Sequence, residues 1–137
     1  MTFNDIVKIC IKMGFRYNKD NGNITYNSII FNGSKHFNGQ NISDDDFIYI
    51  DIQNNLHILD VIMYNGYESF TISTHGSNSW KYDINKKGFF KSDNTELTEK
   101  VLIDCIKRFL CNIKEYEIKL KKQNICKVFS EENPMYK

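Results

Sequence analysis

The chain has 137 residues, a formal net charge of +1 and four cysteines. This length fits one domain that can bury a core without metals or disulfides, and the balanced charge excludes a global field directed at nucleic acid. The cysteines lack CxxC spacing, the N-terminus lacks a signal peptide, and no run approaches the roughly 18 apolar residues of a membrane span, so we expect reduced thiols in a cytoplasmic protein.

The N-terminal segment predicts a helix over residues 3–13, because apolar residues recur there at helical spacing. Thr2 can cap this helix, with Asp5 in the position of a capping box. Short alternating segments bounded by turn residues follow the helix and predict strands. These strands cover residues 15–17, 23–26 and 28–31.

Residues 34–46 are polar and show no predicted element. Alternating segments then predict three strands joined by two-residue turns at Asn54-Asn55 and Asn65-Gly66, since Asn-Gly is a strong hairpin signal. In the implied register Leu59 lies between Ile50 and Ile72. His57 falls on the core side. The expected apolar layer, against which the helices pack, consists of Ile48, Ile50, Ile52, Leu59, Val61, Met63, Phe70 and Ile72.

The opposite side of these three strands is more polar and rich in tyrosine. Two interpretations stay open: an ordinary solvated face, or a recognition surface for another protein, in which tyrosine offers rigid contact area with a polar tip. Phe47, Ile58 and Ile62 fall on the same side and favour the second interpretation. The predicted protein-binding residues are Tyr49, Asp51, Asp60, Tyr64, Tyr67 and Thr71.

A loop over residues 74–78, a strand over 79–84 and a short strand at 89–90 follow. A long helix is predicted over 95–122 with Thr95 as its cap. Two interpretations of its second half stay open: a solvated end with one apolar edge, or a homodimer contact through Tyr116, Ile118 and Leu120.

No catalytic or cofactor motif is present, and we expect no cofactor, no metal and no catalytic residue. The run Asp44, Asp45 and Asp46 fits a solvated turn better than a cation site, because it lacks the spacing of a calcium loop. His36, His57 and His75 lie in separate segments without a partner motif. Dispersed lysines make nucleic acid an unexpected partner.

The predicted fold is α+β, an antiparallel sheet of five to seven strands with an N-terminal helix and a long C-terminal helix packed on one face. Residues 1–126 form the domain and 127–137 a partly ordered tail. The expected function is non-enzymatic contact with another protein. The general profile of the chain, rather than any residue, is typical of a phage or mobile-element inhibitor of the anti-defence type, or of an immunity protein. The alternative is a small-molecule or nucleotide binder with its site between the 34–46 and 74–79 loops.

Overall fold

A computed structural model describes residues 1–31, 35–36, 42–43, 45–65 and 70–132, with side chains over 1–31, 45–63, 72, 74 and 78–122. The elements follow one another as α1 (Phe3–Lys12), β1 (Arg16–Tyr17), β2 (Ile24–Thr25), β3 (Lys35–His36), β4 (Ile42–Ser43), β5 (Asp46–Ile50), β6 (Asn55–Asn65), β7 (Phe70–Asp83), β8 (Gly88–Phe90) and α2 (Glu99–Glu132). This is the predicted α+β class.

Six strands form one antiparallel sheet in the order β1-β2-β5-β6-β7-β8, and β3 pairs with β4. The N-terminal helix and the long C-terminal helix pack on the sheet, which confirms the predicted architecture. The rings of Phe15, Phe47 and Phe109 contact one another. The centroid of the Phe47 ring lies 4.7 Å from that of Phe15 and 4.6 Å from that of Phe109. This aromatic cluster joins the sheet to α2.

The start of α1 carries the predicted capping box. The Asp5 backbone N–H donates to Thr2 Oγ1 at 3.3 Å, and the Thr2 N–H donates to the Asp5 carboxylate at 2.9 Å. Residues 28–31, predicted as a strand, form a turn instead. The Ile30 N–H donates to Ser28 Oγ at 3.3 Å, and such a local hydrogen bond competes with strand pairing.

The register of β5 against β6 differs from the predicted one by three residues. The connecting loop has three residues rather than two, because the Asp51 N–H donates to the Asn55 carbonyl at 2.9 Å and Asn54 takes a φ of 63°. Ile50 therefore lies opposite Leu56, not Leu59. An odd shift moves every side chain of β6 to the other face. Ile58, predicted on the exposed side, is 1 % exposed, whereas Ile52, predicted in the core, is 93 % exposed.

Two irregularities also depart from simple alternation. Ile24 pairs with Ile48 but Thr25 pairs with Asp46, so Phe47 is an extra residue in β5 and is fully buried rather than exposed. Ser77 is an extra residue in β7, and the predicted 74–78 loop lies inside that strand.

The two-residue turn predicted at Asn65-Gly66 is also wrong. Asn65 lies opposite Phe70, and the residues between them lie outside the described residues.

The long helix begins later and ends later than predicted. The Val101 N–H donates to Thr98 Oγ1 at 3.2 Å, so Thr98 rather than Thr95 caps it, and it continues to Glu132 instead of ending at residue 122. The predicted tail is thus helical up to Glu132, and residues 133–137 lie outside the described part of the chain. Tyr116 and Leu120 are partly buried against the protein's own core, which leaves less of their surface for a dimer.

Candidate functional site

The side of the sheet away from α2 carries the candidate site. On the other side, Arg108 of α2 donates through Nε to the Asp60 carboxylate at 3.0 Å, and Leu56 and Ile58 are buried. Because side chains alternate along a strand, His57 points away from α2. The register then aligns three strands: His57 lies opposite both Tyr49 and Ser79.

We call this surface the open face, and it comprises Tyr49, Asp51, His57, Ser79, Lys81 and Phe90. Lys81 lies opposite both Asn55 and Phe90, so the surface reaches from β5 across β6 and β7 to β8. Ser79 and Lys81 are exposed, and the others are half-buried. Further along the same side of β6, Leu59 and Val61 are both 2 % exposed, so the open face ends before them.

One end of the open face is a tightly held cluster of three side chains. The rings of Tyr49 and His57 are stacked, with centroids 4.5 Å apart and planes 11° apart. His57 Nε2 lies 2.7 Å from Asp51 Oδ2, while Asp51 Oδ1 accepts the backbone N–H groups of Gln53 at 2.8 Å and Asn55 at 3.0 Å. The hairpin loop therefore fixes Asp51, Asp51 fixes His57, and His57 supports Tyr49.

The environment shifts two pKa values in this cluster. Burial would raise the pKa of Asp51, but the hydrogen bonds from His57, Asn55 and Gln53 together outweigh it and lower the pKa below its usual range. Burial, with a smaller contribution from the Asp51 charge, raises the pKa of Tyr49. At neutral pH the cluster thus presents a carboxylate next to a neutral phenol.

The other end of the open face is a groove between β7 and β8 with a volume of about 640 Å³. Ser79 belongs both to this groove and to the row that contains His57, so the groove continues the cluster. Lys86 Nζ lies 5.0 Å from the centroid of the Phe90 ring on the open face, whereas Lys91 Nζ lies 4.8 Å from that of Trp80, which is buried on the α2 side. The lining residues are Ser79, Lys81, Tyr82, Asp83, Ile84, Phe90, Lys91, Ser92 and Asn94.

Of the three predicted binding residues whose side chains the structure describes, two lie together. Tyr49 and Asp51 are neighbours in the cluster, whereas Asp60 lies on the helix side beside Arg108. Tyr64 lies opposite Thr71 in the β6–β7 register rather than opposite Tyr67. The side chains of Tyr64, Tyr67 and Thr71 lie outside the described residues, and a binding role for all six stays a prediction.

Other candidate groups also differ from expectation. Asp46, predicted in a solvated turn, is fully buried and accepts from Asn23 Nδ2 at 3.0 Å; Asp44 lies outside the described residues. His57, predicted on the core side, belongs to the open face. The sequence did contain a signal for this cluster, since Asp51 followed by polar loop residues is typical of an Asx turn, with Asn tolerating positive φ. The alternation of side chains along single strands did not predict that Ser79, Lys81 and Phe90 lie on the same face as this cluster.

The cysteines whose side chains the structure describes differ in exposure. Cys10 and Cys105 are buried, and burial raises the pKa of Cys10 to about 12, so its thiol is protonated at neutral pH. Cys111 is exposed, and the side chain of Cys126 lies outside the described residues. Among the described side chains, no group of three or more His, Cys, Asp or Glu could hold a metal ion.

Asp51→Asn is expected to destabilise the protein by on the order of 1 kcal/mol at neutral pH, because the cluster and loop lose a charged acceptor. Because the pKa of Asp51 is lower in the folded state than its ordinary value of 3.8, the ionised carboxylate stabilises the fold at pH values above 3.8. That contribution is lost as the pH falls through the folded pKa. Urea unfolding from about pH 7 to about pH 2 should therefore show a constant difference near neutral pH and converging stabilities at the acid end of the range.

Asp104→Asn, at an exposed position on α2, provides the matched control for this titration. A gap between wild type and Asp51→Asn that is unchanged over the whole pH range would contradict the assigned role of the Asp51 carboxylate.

Within the described part of the chain, no helix is both long enough and apolar enough to cross a membrane. Comparison with protein-family models, with curated proteins and with solved structures found no match.

Proposed function

We propose that this protein is a non-enzymatic cytoplasmic module that binds another protein through the open face. The observation that carries the proposal is the Tyr49–His57–Asp51 cluster, an aromatic pair held at the surface beside a charged groove. Aromatic side chains with polar tips provide much of the binding energy in protein interfaces. A surface of this kind suits recognition of a partner.

Preorganisation of these side chains strengthens the argument. Binding costs about 0.5–1.5 kcal/mol for each mobile side chain that must be ordered. The His57 contact at 2.7 Å and the two loop N–H groups already hold Asp51, and the stack already holds Tyr49. The cluster therefore loses little conformational entropy when a partner covers it.

The finer part of the proposal is an inhibitor encoded by a phage or another mobile element, of the anti-defence type, or an immunity protein. Such proteins act by covering a surface of their target, which requires a binding face and no catalytic group. This part rests on the small size and general profile of the chain. Nucleic acid is a less suitable partner, because the lysines are dispersed along the chain and do not alternate with aromatic residues in one basic segment.

A second candidate function is binding of a small molecule or nucleotide, favoured by the volume of the β7–β8 groove. Its roughly 640 Å³ falls within the usual range of ligand pockets, about 300–1,000 Å³. This location differs from the predicted one, because residues 74–79 lie within β7. A rise of several degrees in the melting temperature with added nucleotides or metal ions would favour this function.

Capture from the native host tests the protein-binding proposal. The full chain, tagged and carrying a photo-crosslinking residue in place of Ser79, is expected to form a discrete crosslinked product with one host protein. The additional change Tyr49→Ala should reduce that product by about tenfold, because it removes the central aromatic contact. Circular dichroism and melting temperature establish that each variant is folded.

The matched control has the crosslinker at Lys107, an exposed residue of α2, which should give no product with the same host protein. A product that forms from position 107 but not from position 79, or that is insensitive to Tyr49→Ala, would refute docking through the open face. A homodimer through Tyr116 and Leu120 is a separate proposal, and light scattering of the purified chain tests it.

A further inference from the structure

The β7–β8 groove is locally basic in a chain that is almost neutral. Residues 79–94 contain four lysines and two aspartates, a local charge of +2 compared with +1 for the whole chain. Lys81 lines the groove opposite Phe90, and Lys86 Nζ lies 5.0 Å from the centroid of the Phe90 ring. Asp83 Oδ1 is already engaged by the backbone N–H groups of Asn85 at 2.9 Å and Lys86 at 3.1 Å. Lysines therefore outnumber aspartates at this end of the open face.

The same groove is bordered by exposed apolar surface. Ile84 is 77 % exposed and Tyr82 is 38 % exposed, and Phe90 forms part of the lining. Isoleucine and tyrosine at such exposures carry a hydration cost that a partner's apolar side chain would relieve. Charge and apolar surface thus lie within one groove.

The backbone edge of β8 is already occupied. The Leu97 N–H donates to the Phe89 carbonyl at 2.8 Å, and the Lys91 N–H donates to the Thr95 carbonyl at 2.9 Å. Glu96 also forms an antiparallel bridge with Phe90. A peptide cannot extend the sheet at these positions by strand addition, so a ligand must be recognised through the side chains of the groove.

We propose that this groove binds an acidic peptide segment of the partner that carries at least one apolar side chain. Carboxylates of the segment pair with Lys81 and Lys86, and its apolar side chain packs on Phe90 and Ile84. A symmetric contact between the grooves of two copies does not meet this description, because two grooves of the same charge repel each other. Nucleic acid fits poorly as well, since no arginine is among the described residues that line the groove. The inference rests on the proposed function and names the chemistry of the partner.

A displayed library of random peptides, selected on the immobilised full chain, tests the inference. Enriched peptides should combine Asp or Glu with an aromatic or branched aliphatic residue. The double variant Lys81→Glu/Lys86→Glu should weaken binding of such a labelled peptide by about tenfold or more in fluorescence anisotropy. Affinity should also fall several-fold between roughly 50 and 300 mM salt.

The control variant Lys107→Glu/Lys114→Glu makes the same charge change at exposed positions of α2 and should leave the affinity unchanged. Enrichment of neutral or basic peptides, or of none, would overturn the inference, as would equal losses in the two double variants. An oligonucleotide that binds as tightly and responds to the same lysines would also overturn it, because it would assign the groove to nucleic acid. Host capture that depends on Tyr49 would stand in each case, so the inference can fail without the proposed function.

Discussion

Phe47→Ala is expected to lower the free energy of unfolding by about 3–5 kcal/mol, and Ile52→Ala by less than about 0.5 kcal/mol. Phe47 is fully buried, and its ring contacts those of Phe15 and Phe109. Removing it leaves a cavity at the point where β5, α2 and the segment after α1 meet. Ile52 lies in the hairpin loop at 93 % exposure, so its removal exposes little new surface.

Urea unfolding followed by circular dichroism measures both changes, with the slope of the transition as a check for two-state behaviour. Simple alternation along the strand predicts the reverse result, with Ile52 in the core and Phe47 exposed. A large loss for Ile52→Ala together with a small loss for Phe47→Ala would therefore contradict the bulge and the three-residue loop, and would restore the simpler register.

Features encoded by local signals could be predicted from the sequence. The capping box of Thr2 and Asp5 depends on residues three apart, and the structure contains it. The α+β class follows from the order of periodic segments, and the strand predicted over 79–84 lies in the final part of β7. Each of these predictions required only neighbours in the chain.

Features decided by contacts between distant segments could not be predicted. The position of Phe47 depends on rings from Phe15 and Phe109, which supply a reason for β5 to bulge. The hairpin loop was ambiguous because Asn54 suits a two-residue turn and also the left-handed position of a three-residue loop. One wrong choice at that loop transferred Asp60 and Ile58 to the wrong face, since a register error of three residues exchanges the two sides.

The start of α2 illustrates the same difficulty. Thr95 and Thr98 are both acceptable caps by residue type. The chain selects Thr98, because Thr95 and Leu97 instead bond to Lys91 and Phe89 along the edge of β8. This choice closes the edge of the sheet beside the groove, so a tertiary contact decides both the helix boundary and the way in which the groove can bind a ligand.

Ile58→Lys is expected to lower the free energy of unfolding by more than about 3 kcal/mol, whereas Ser79→Lys should change it by less than about 0.5 kcal/mol. Ile58 is 1 % exposed on the helix side of β6, and a lysine there loses apolar burial and places an unpaired charge in the core. Ser79 is exposed on the open face, next to the groove, and a lysine there can extend into solvent.

The pair decides whether the open face is available to a partner, because the two positions lie on adjacent strands and on opposite sides of the same sheet. Both variants introduce lysine, so the effects of lysine that do not depend on its position are common to the two. Urea unfolding then compares their free energies of unfolding directly. A loss for Ser79→Lys as large as that for Ile58→Lys would show that the protein itself covers the open face. Docking through Tyr49, His57 and the β7–β8 groove would then be excluded. A stable Ser79→Lys variant together with a strongly destabilised Ile58→Lys variant would show that the open face is accessible to a partner in the folded protein.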